Sequence, residues 1–358
     1  MKVVLAIDSF KGTFSSRHIE GLLSDRLSSI GVDVIALPVA DGGEGLVDVL
    51  APVLGGELVT LSVTGPDFDK VFARYLLHGD IALVETAEGA GITLSQRHSA
   101  ADTTTYGVGE LVKDALSRGA KEVLLGLGGS ATCDGGCGMA AALGWVFLNQ
   151  EGNPFVPTGR TLCEIASVKR GQPLPITALS DVTNPLYGSK GAAYVFAPQK
   201  GATPQEVEML DMGLRHLAEL LAKEGIAMNI PMAGAAGGLG GMVHAVGGRL
   251  LRGIDRVLDL VGFDAAVRDA DFLVTGEGRL DSQSLDGKVI DGVLARKGSA
   301  RALALVGSCL LDDPTRYGIE RVFETNPGHL PFETIKGSLA EDLDKAIQRI
   351  VDYIKGEL

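Results

Sequence analysis

The chain is poor in everything that would tie it to a disulfide framework, a membrane or a nucleic acid. Its four cysteines, at 133, 137, 163 and 309, include no CxxC pair and no metal-ligand spacing. Reduced thiols and a cytoplasmic location are therefore expected. The opening MKVVLAID carries too short an apolar run for a signal peptide before Asp8 interrupts it. A long uncharged stretch from Gly225 to Gly248 contains Asn229, Pro231, His244 and many glycines, a composition that disfavours a membrane helix. Basic residues are outnumbered, 32 against 45 acidic ones, for a net charge of −13. A nucleic-acid partner would require a basic face, so none is expected. The phosphate motif GxxxxGK followed by Ser or Thr is missing, because Gly287-Lys288 is followed by Val289. The six histidines show no HExxH or clustered spacing, and no metal site is read from them.

What the chain has is glycine, 49 of 358 residues, and enough length for two domains with separate cores. Val3–Ile7 is a continuous apolar run ended by Asp8, the pattern of a strand buried on both faces. Ser15 or Ser16 can cap the helix that follows. Its Ile19, Leu22, Leu23, Leu27 and Ile30 recur at helical spacing until Gly31. A second strand is predicted over Val34–Val39, then a DGGEG loop and a helix from about Leu46. The pattern returns late, with a strand Phe272–Thr275 and TGEG as its loop. Strands Ala302–Val306 and Arg321–Glu324 follow, and a last helix runs from about Ala340 to Ile354. Such β–loop–α repeats predict a doubly wound sheet with its loops on the carboxyl side of the strands.

The middle reads differently. Pro66, Pro154, Pro157, Pro173 and Pro175 punctuate shorter runs, and Trp145–Leu148 before Gln150-Glu151-Gly152-Asn153 reads as a hairpin. A helical stripe of Val108, Leu111, Val112, Ala115 and Leu116 leads through Gly119 to a strand Val123–Leu127. The expected fold is α/β: a discontinuous Rossmann-like domain, residues 1–60 plus 265–358, interrupted by an inserted α+β domain, residues 61–264.

Four glycine loops carry acids or hydroxyls: 8–12, 41–45, 128–138 and 275–281. Glycine lets backbone N–H groups approach a ligand closely, and several such loops point to a polyanion, phosphate foremost. Gly128, Gly129, Ser130, Thr132 and Asp134 form a candidate phosphate loop. Gly126–Ala131 also matches G-x-G-x-x-A, which keeps a nucleotide-dependent oxidoreductase as an alternative. On so acidic a chain, Lys11 and Lys200 are either cations for an anionic ligand or solvated surface groups. Asp181 ends an apolar run before Asn184-Pro185, as a base or metal ligand or as an Asx turn. Asp41 and Glu44 face a cation or cap the helix near Leu46; Glu277 and Asp281 invite the same two readings. Arg279 grips a carboxylate or phosphate, or pairs locally.

The segments DSFKGT, PVADGGEG, TTTYGVGEL, GLGGSATCDGG, SDVTNPLYG, APQKGATP, GAAGGLGG and TGEGRLDSQS occur in this order. Together they resemble the glycerate kinase family, from Met1 to about Gly307. Cys133 and Cys137 stand where asparagine and alanine are expected, and Ser180 where cysteine is. The resemblance implies a flavodoxin-like domain with a second one inserted. It also implies transfer of the γ-phosphoryl group of ATP, with Mg2+, to a hydroxyl of D-glycerate. The 2-hydroxyl is the expected acceptor and the 3-hydroxyl stays open; a monomer or homodimer is expected. A non-catalytic sugar-acid binding protein is the remaining alternative. In this frame Asp181 and Lys11 are catalytic, and Gly128, Gly129, Ser130, Thr132, Asp134 and Lys200 bind the nucleotide. Asp8, Ser9, Asp41, Glu44 and Arg279 bind glycerate, and Glu277 and Asp281 hold the metal.

Overall fold

The computed structural model describes residues 1–358 apart from 11, 41, 44, 286 and 287, with backbone alone at 283 and 285. The chain divides into two compact units. Unit 1 comprises Met1–Asp41, Pro52–Leu54 and Ile254–Leu358; unit 2 comprises Gly42–Ala51 and Gly55–Gly253. Among the described residues the strands in chain order are β1 (Lys2–Ile7), β2 (Asp33–Ala36), β3 (Glu57–Thr64), β4 (Lys70–His78) and β5 (Ile81–Glu85). Then come β6 (Glu122–Gly126), β7 (Val146–Leu148), β8 (Pro154–Phe155), β9 (Ser167–Lys169) and β10 (Ile176–Ser180). The last are β11 (Arg249–Arg252), β12 (Phe272–Leu280), β13 (Arg301–Cys309) and β14 (Ile319–Glu324).

Unit 1 is built on a five-stranded sheet of order β14-β13-β12-β1-β2, parallel throughout. Counted from β2 this is the flavodoxin order, whose switch point lies between β1 and its neighbour across the reversal, here β12. The uninterrupted apolar run of β1 is explained by covering on both faces. Val3, Leu5 and Ile7 pack with Ile19, Leu23 and Leu27 of the helix Ser16–Ser29 and with Ile347 and Ile350 of the helix Leu339–Lys355. Val4 and Ala6 pack on the other face with Ile254, Leu258 and Phe263. Each such aliphatic side chain contributes about 1.5–3 kcal/mol on burial. Ser15 caps the first helix by accepting the His18 N–H. The predicted second strand is shorter than read, ending at Ala36; Pro38, two residues on, has no N–H for a ladder. The TGEG segment is not a loop. Gly276, Glu277, Arg279 and Leu280 continue β12 by pairing with Leu305, Val306, Ser308 and Cys309 of β13.

Where β2 has ended, side chains complete β1. The Ile7 N–H donates to Glu20 Oε1 at 3.1 Å, and Ser16 Oγ donates to the Ile7 carbonyl. Burial pushes the Glu20 carboxyl up from 4.5 to about 8. Between those values the folded chain holds a proton that the unfolded chain has lost, so stability falls as pH rises through that window. Glu20→Gln keeps the acceptor and removes the titration. Chemical denaturation at pH 8 should find the variant more stable by at least about 1 kcal/mol, with no difference at pH 4.

Unit 2 carries a six-stranded sheet of order β11-β10-β6-β5-β4-β3 and a small sheet β8-β7-β9. β5, β6, β10 and β11 are parallel neighbours, while β3 and β4 add an antiparallel margin. The expected hairpin after Trp145 is present as β7 and β8. The helix Tyr106–Ser117 buries Val108, Leu111, Val112 and Ala115 in one core with Val123, Leu125 and Ala178 of the sheet.

Candidate active site

In unit 2 a pocket of about 450 Å3 opens at the carboxyl ends of β6 and β10. Adjacent parallel strands release their loops here, the general place for ligands in open α/β sheets. Gly128, Gly129 and Ser130 come from the loop after β6, Asp181 from the turn after β10, and Lys200 from the turn Pro198–Lys200. Gly42 and Gly43 also line the pocket. Gly42 has φ +85°, and a Cβ there would lie 2.8 Å from Leu179 Cβ, so only glycine fits. Sequence reasoning passed over Phe196 and Gln199 on the same wall.

Lys200 is 5% exposed, and its ammonium donates to Ser130 Oγ and the Thr132 carbonyl, each at 2.8 Å. Burial pulls it down from 10.5 to about 8, against the opposing pull of Cys133 and Asp134. A cation beside the glycine loop is thus lost on mild alkalinisation. With ATP as the ligand the resemblance implies and Lys200 as its expected contact, KM for ATP should climb as pH passes about 8, on the order of tenfold once Lys200 is neutral, given the strength of charge-assisted hydrogen bonds. Lys200→Met should start from the high value and show a flat profile; a wild-type profile that is flat through pH 9 would remove the charge from binding.

The loop between Ser130 and Cys137 is stitched from within. Asp134 is fully buried, and its carboxylate accepts from Thr105 N (2.8 Å), Thr105 Oγ1 (2.8 Å), Gly136 N (3.0 Å) and Gly138 N (3.2 Å). Burial pushes the Asp134 carboxyl up from the usual carboxylate range, while these donors oppose the shift. Thr132 is likewise fully buried, and neither side chain lines the pocket. Asp134 braces the loop from within, and Thr132 offers its carbonyl to Lys200. The G-x-G-x-x-A match fails in its context. A dinucleotide fingerprint opens a helix at once, whereas the next helix starts only at Cys137. Cys133 and Cys137 are buried, and burial pushes the Cys133 thiol up to about 12, which leaves it inert.

In unit 1 the switch point holds a second group. Asp8 N donates to the Gly276 carbonyl at 2.9 Å, and Ser9 N to Asp8 Oδ1 at 2.7 Å. Arg279 and Asp281 line a separate pocket of about 450 Å3 with Ser282, Asp313, Arg316 and Tyr317. Arg279 Nε lies 3.3 Å from Asp281 Oδ2 with the arginine side chain 65% exposed, so the local pair is present. Asp8, Ser9 and Glu277 lie near the carboxyl edge without lining that pocket. Lys11, Asp41 and Glu44 lie outside the described residues. Among the described residues no group of three or more His, Cys, Asp or Glu is placed to hold a metal ion. No described helix is long and apolar enough to cross a membrane.

A glycine loop at a strand's carboxyl end with a buried lysine beneath it is a ligand site of the kind open α/β enzymes carry. The glycerate kinase family model matches residues 3–355. A glycerate kinase of Bacillus subtilis is 38% identical over 374 aligned positions, covering 99% of this chain and 98% of that protein. The glycerate 2-kinase of Escherichia coli is 37% identical, with 90% of each chain covered. A crystal structure assigned as glycerate kinase 2, from Salmonella typhimurium LT2, superposes with a TM-score of 0.85 at 34% identity, covering 100% of this chain and 99% of that one. The chain belongs to the glycerate kinase family. It is a kinase with an alcohol group as phosphoryl acceptor, and the oxidoreductase and non-catalytic readings give way to it.

Proposed function

We propose that this chain transfers the γ-phosphoryl group of ATP to the 2-hydroxyl of D-glycerate, and that the pocket of unit 2 carries the chemistry. The observation that supports this is one pocket shared by Gly128, Gly129, Ser130, Lys200 and Asp181. Kinase membership implies ATP as donor, and the Escherichia coli relative named glycerate 2-kinase supports the choice of hydroxyl. Asp181 takes the proton of the 2-hydroxyl as that oxygen attacks the γ-phosphorus and the bond to ADP breaks. Lys200 and the loop amides of Gly129 and Ser130 hold phosphate oxygens by charge and hydrogen bonding. For the glycerate carboxylate and hydroxyls the resemblance offers Lys11, Arg279, Asp8, Ser9, Asp41 and Glu44 as binding groups. Glu277 and Asp281 offer hard carboxylate oxygens of the kind Mg2+ takes, which usually keeps waters and phosphates besides one or two protein ligands. When bound, Mg2+ neutralises charge on the β- and γ-phosphates. ADP release assayed with D-glycerate, with L-glycerate and with no acceptor tests the reading. Release that depends on D-glycerate is expected; an equal rate without acceptor would reject it.

A further inference from the structure

Gly42 and Gly43 reach the unit 2 pocket from a loop forty residues away in sequence from the β5 carboxyl end, and something must hold that loop in place. One end is held by close packing: a Cβ on Gly126 would meet the Gly42 carbonyl at 2.7 Å, so β6 and the loop touch backbone to backbone. The other end is held by Glu85, the last residue of β5, which is 4% exposed. Its Oε2 accepts the Gly45 N–H and its Oε1 the Val47 N–H, each at 2.7 Å. These are first-turn amides of the helix Leu46–Leu54, whose N-cap, Gly45, has no side chain to satisfy them. A distant carboxylate thus does the work of a local cap, and it favours the positive end of the helix.

The surroundings fit a fixed clamp. Burial pushes the Glu85 carboxyl up, Glu88 and Asp48 push the same way, and the two amides oppose them. Arg74 on β4 occupies both neighbouring acids, with Nη2 2.8 Å from Asp48 Oδ2 and Nε 2.9 Å from Glu88 Oε1. Those acids are therefore kept off the amides that Glu85 holds.

We propose that Glu85 is a positioning residue of the kinase reaction, holding the Gly45 and Val47 amides so that Gly42 and Gly43 line the unit 2 pocket where glycerate reacts. The inference rests on the reading of that pocket as the site of the chemistry. Displacement of a binding group by about 1 Å costs as much as 10²-fold, so loss of half the clamp is a large effect.

The test uses the full chain and Glu85→Gln, whose amide presents one acceptor oxygen where two are needed. KM for D-glycerate should rise roughly tenfold or more, while KM for ATP and kcat stay within about threefold. Hydrogen exchange of the peptide spanning residues 42–50 should speed up in the variant. A purely structural role would lower the active fraction and leave both KM values alone, and that outcome overturns the proposal. If the variant does not fold, the wild type decides: D-glycerate must slow exchange in that peptide and ATP alone must not, and the reverse overturns the clamp. A wild type inactive on glycerate would instead sink the function on which the inference rests.

Discussion

Asp181→Asn should lower kcat by on the order of 10²–10⁴-fold, with KM for both substrates little changed. The residue stands at the carboxyl end of β10 and lines the unit 2 pocket, as do Ser130 and Lys200. Asparagine preserves its shape and removes its ability to take a proton, so binding survives and turnover does not. Within the turn the Val182 N–H donates to Ser180 Oγ, and Asn184 Nδ2 donates to the Lys190 carbonyl at 2.8 Å. Steady-state kinetics with a circular-dichroism control check the prediction, and a near-normal kcat would take Asp181 out of the mechanism.

The second large effect concerns folding. Asp134→Ala deletes a carboxylate that accepts from four buried donors. Each buried donor left without a partner costs about 1–3 kcal/mol, so the loss should reach roughly 4 kcal/mol or more. For a domain of ordinary stability this is a large fraction of the total. The damage should not stop at stability, because the same segment carries Ser130 and the carbonyl of Thr132 that holds Lys200. Urea denaturation should show a midpoint far below that of the wild type, with nucleotide affinity lost in what stays folded. A loss under about 1 kcal/mol would mean that water or backbone rearrangement replaces the carboxylate, contrary to the bracing role.

Much of the architecture was legible because burial writes itself into periodicity. The run Val3–Ile7 is apolar on both sides because both sides are covered, and the stripe Ile19, Leu23, Leu27 sits on one of them. The extension of β12 was not legible. Gly276, Glu277 and Arg279 look like a loop in sequence, and only pairing with β13 makes them strand; this is tertiary context overriding local propensity. The pocket was partly legible. Glycines beside Ser130, a lysine in APQKG and an acid closing an apolar run were each visible, and the structure brings them to one pocket. The direction of a carboxylate was not. Asp134 and Asp181 look alike in sequence, yet one faces Thr105, 29 residues away in the chain, and the other lines the pocket. Glu85 was missed although it ends the apolar run Ile81–Val84 just as Asp181 ends Ile176–Ser180. The amides it serves lie about forty residues earlier, a separation that no local pattern encodes.

The central claim is phosphorylation of glycerate at a defined hydroxyl, and the product itself is its most direct witness. Purified protein incubated with ATP, Mg2+ and D-glycerate, then followed by phosphorus and carbon NMR, should give 2-phosphoglycerate, with phosphorus coupling to the C2 carbon and ADP formed in equal amount. Formation of 3-phosphoglycerate would contradict the proposed acceptor, and ADP formed with only inorganic phosphate would contradict the account as a whole.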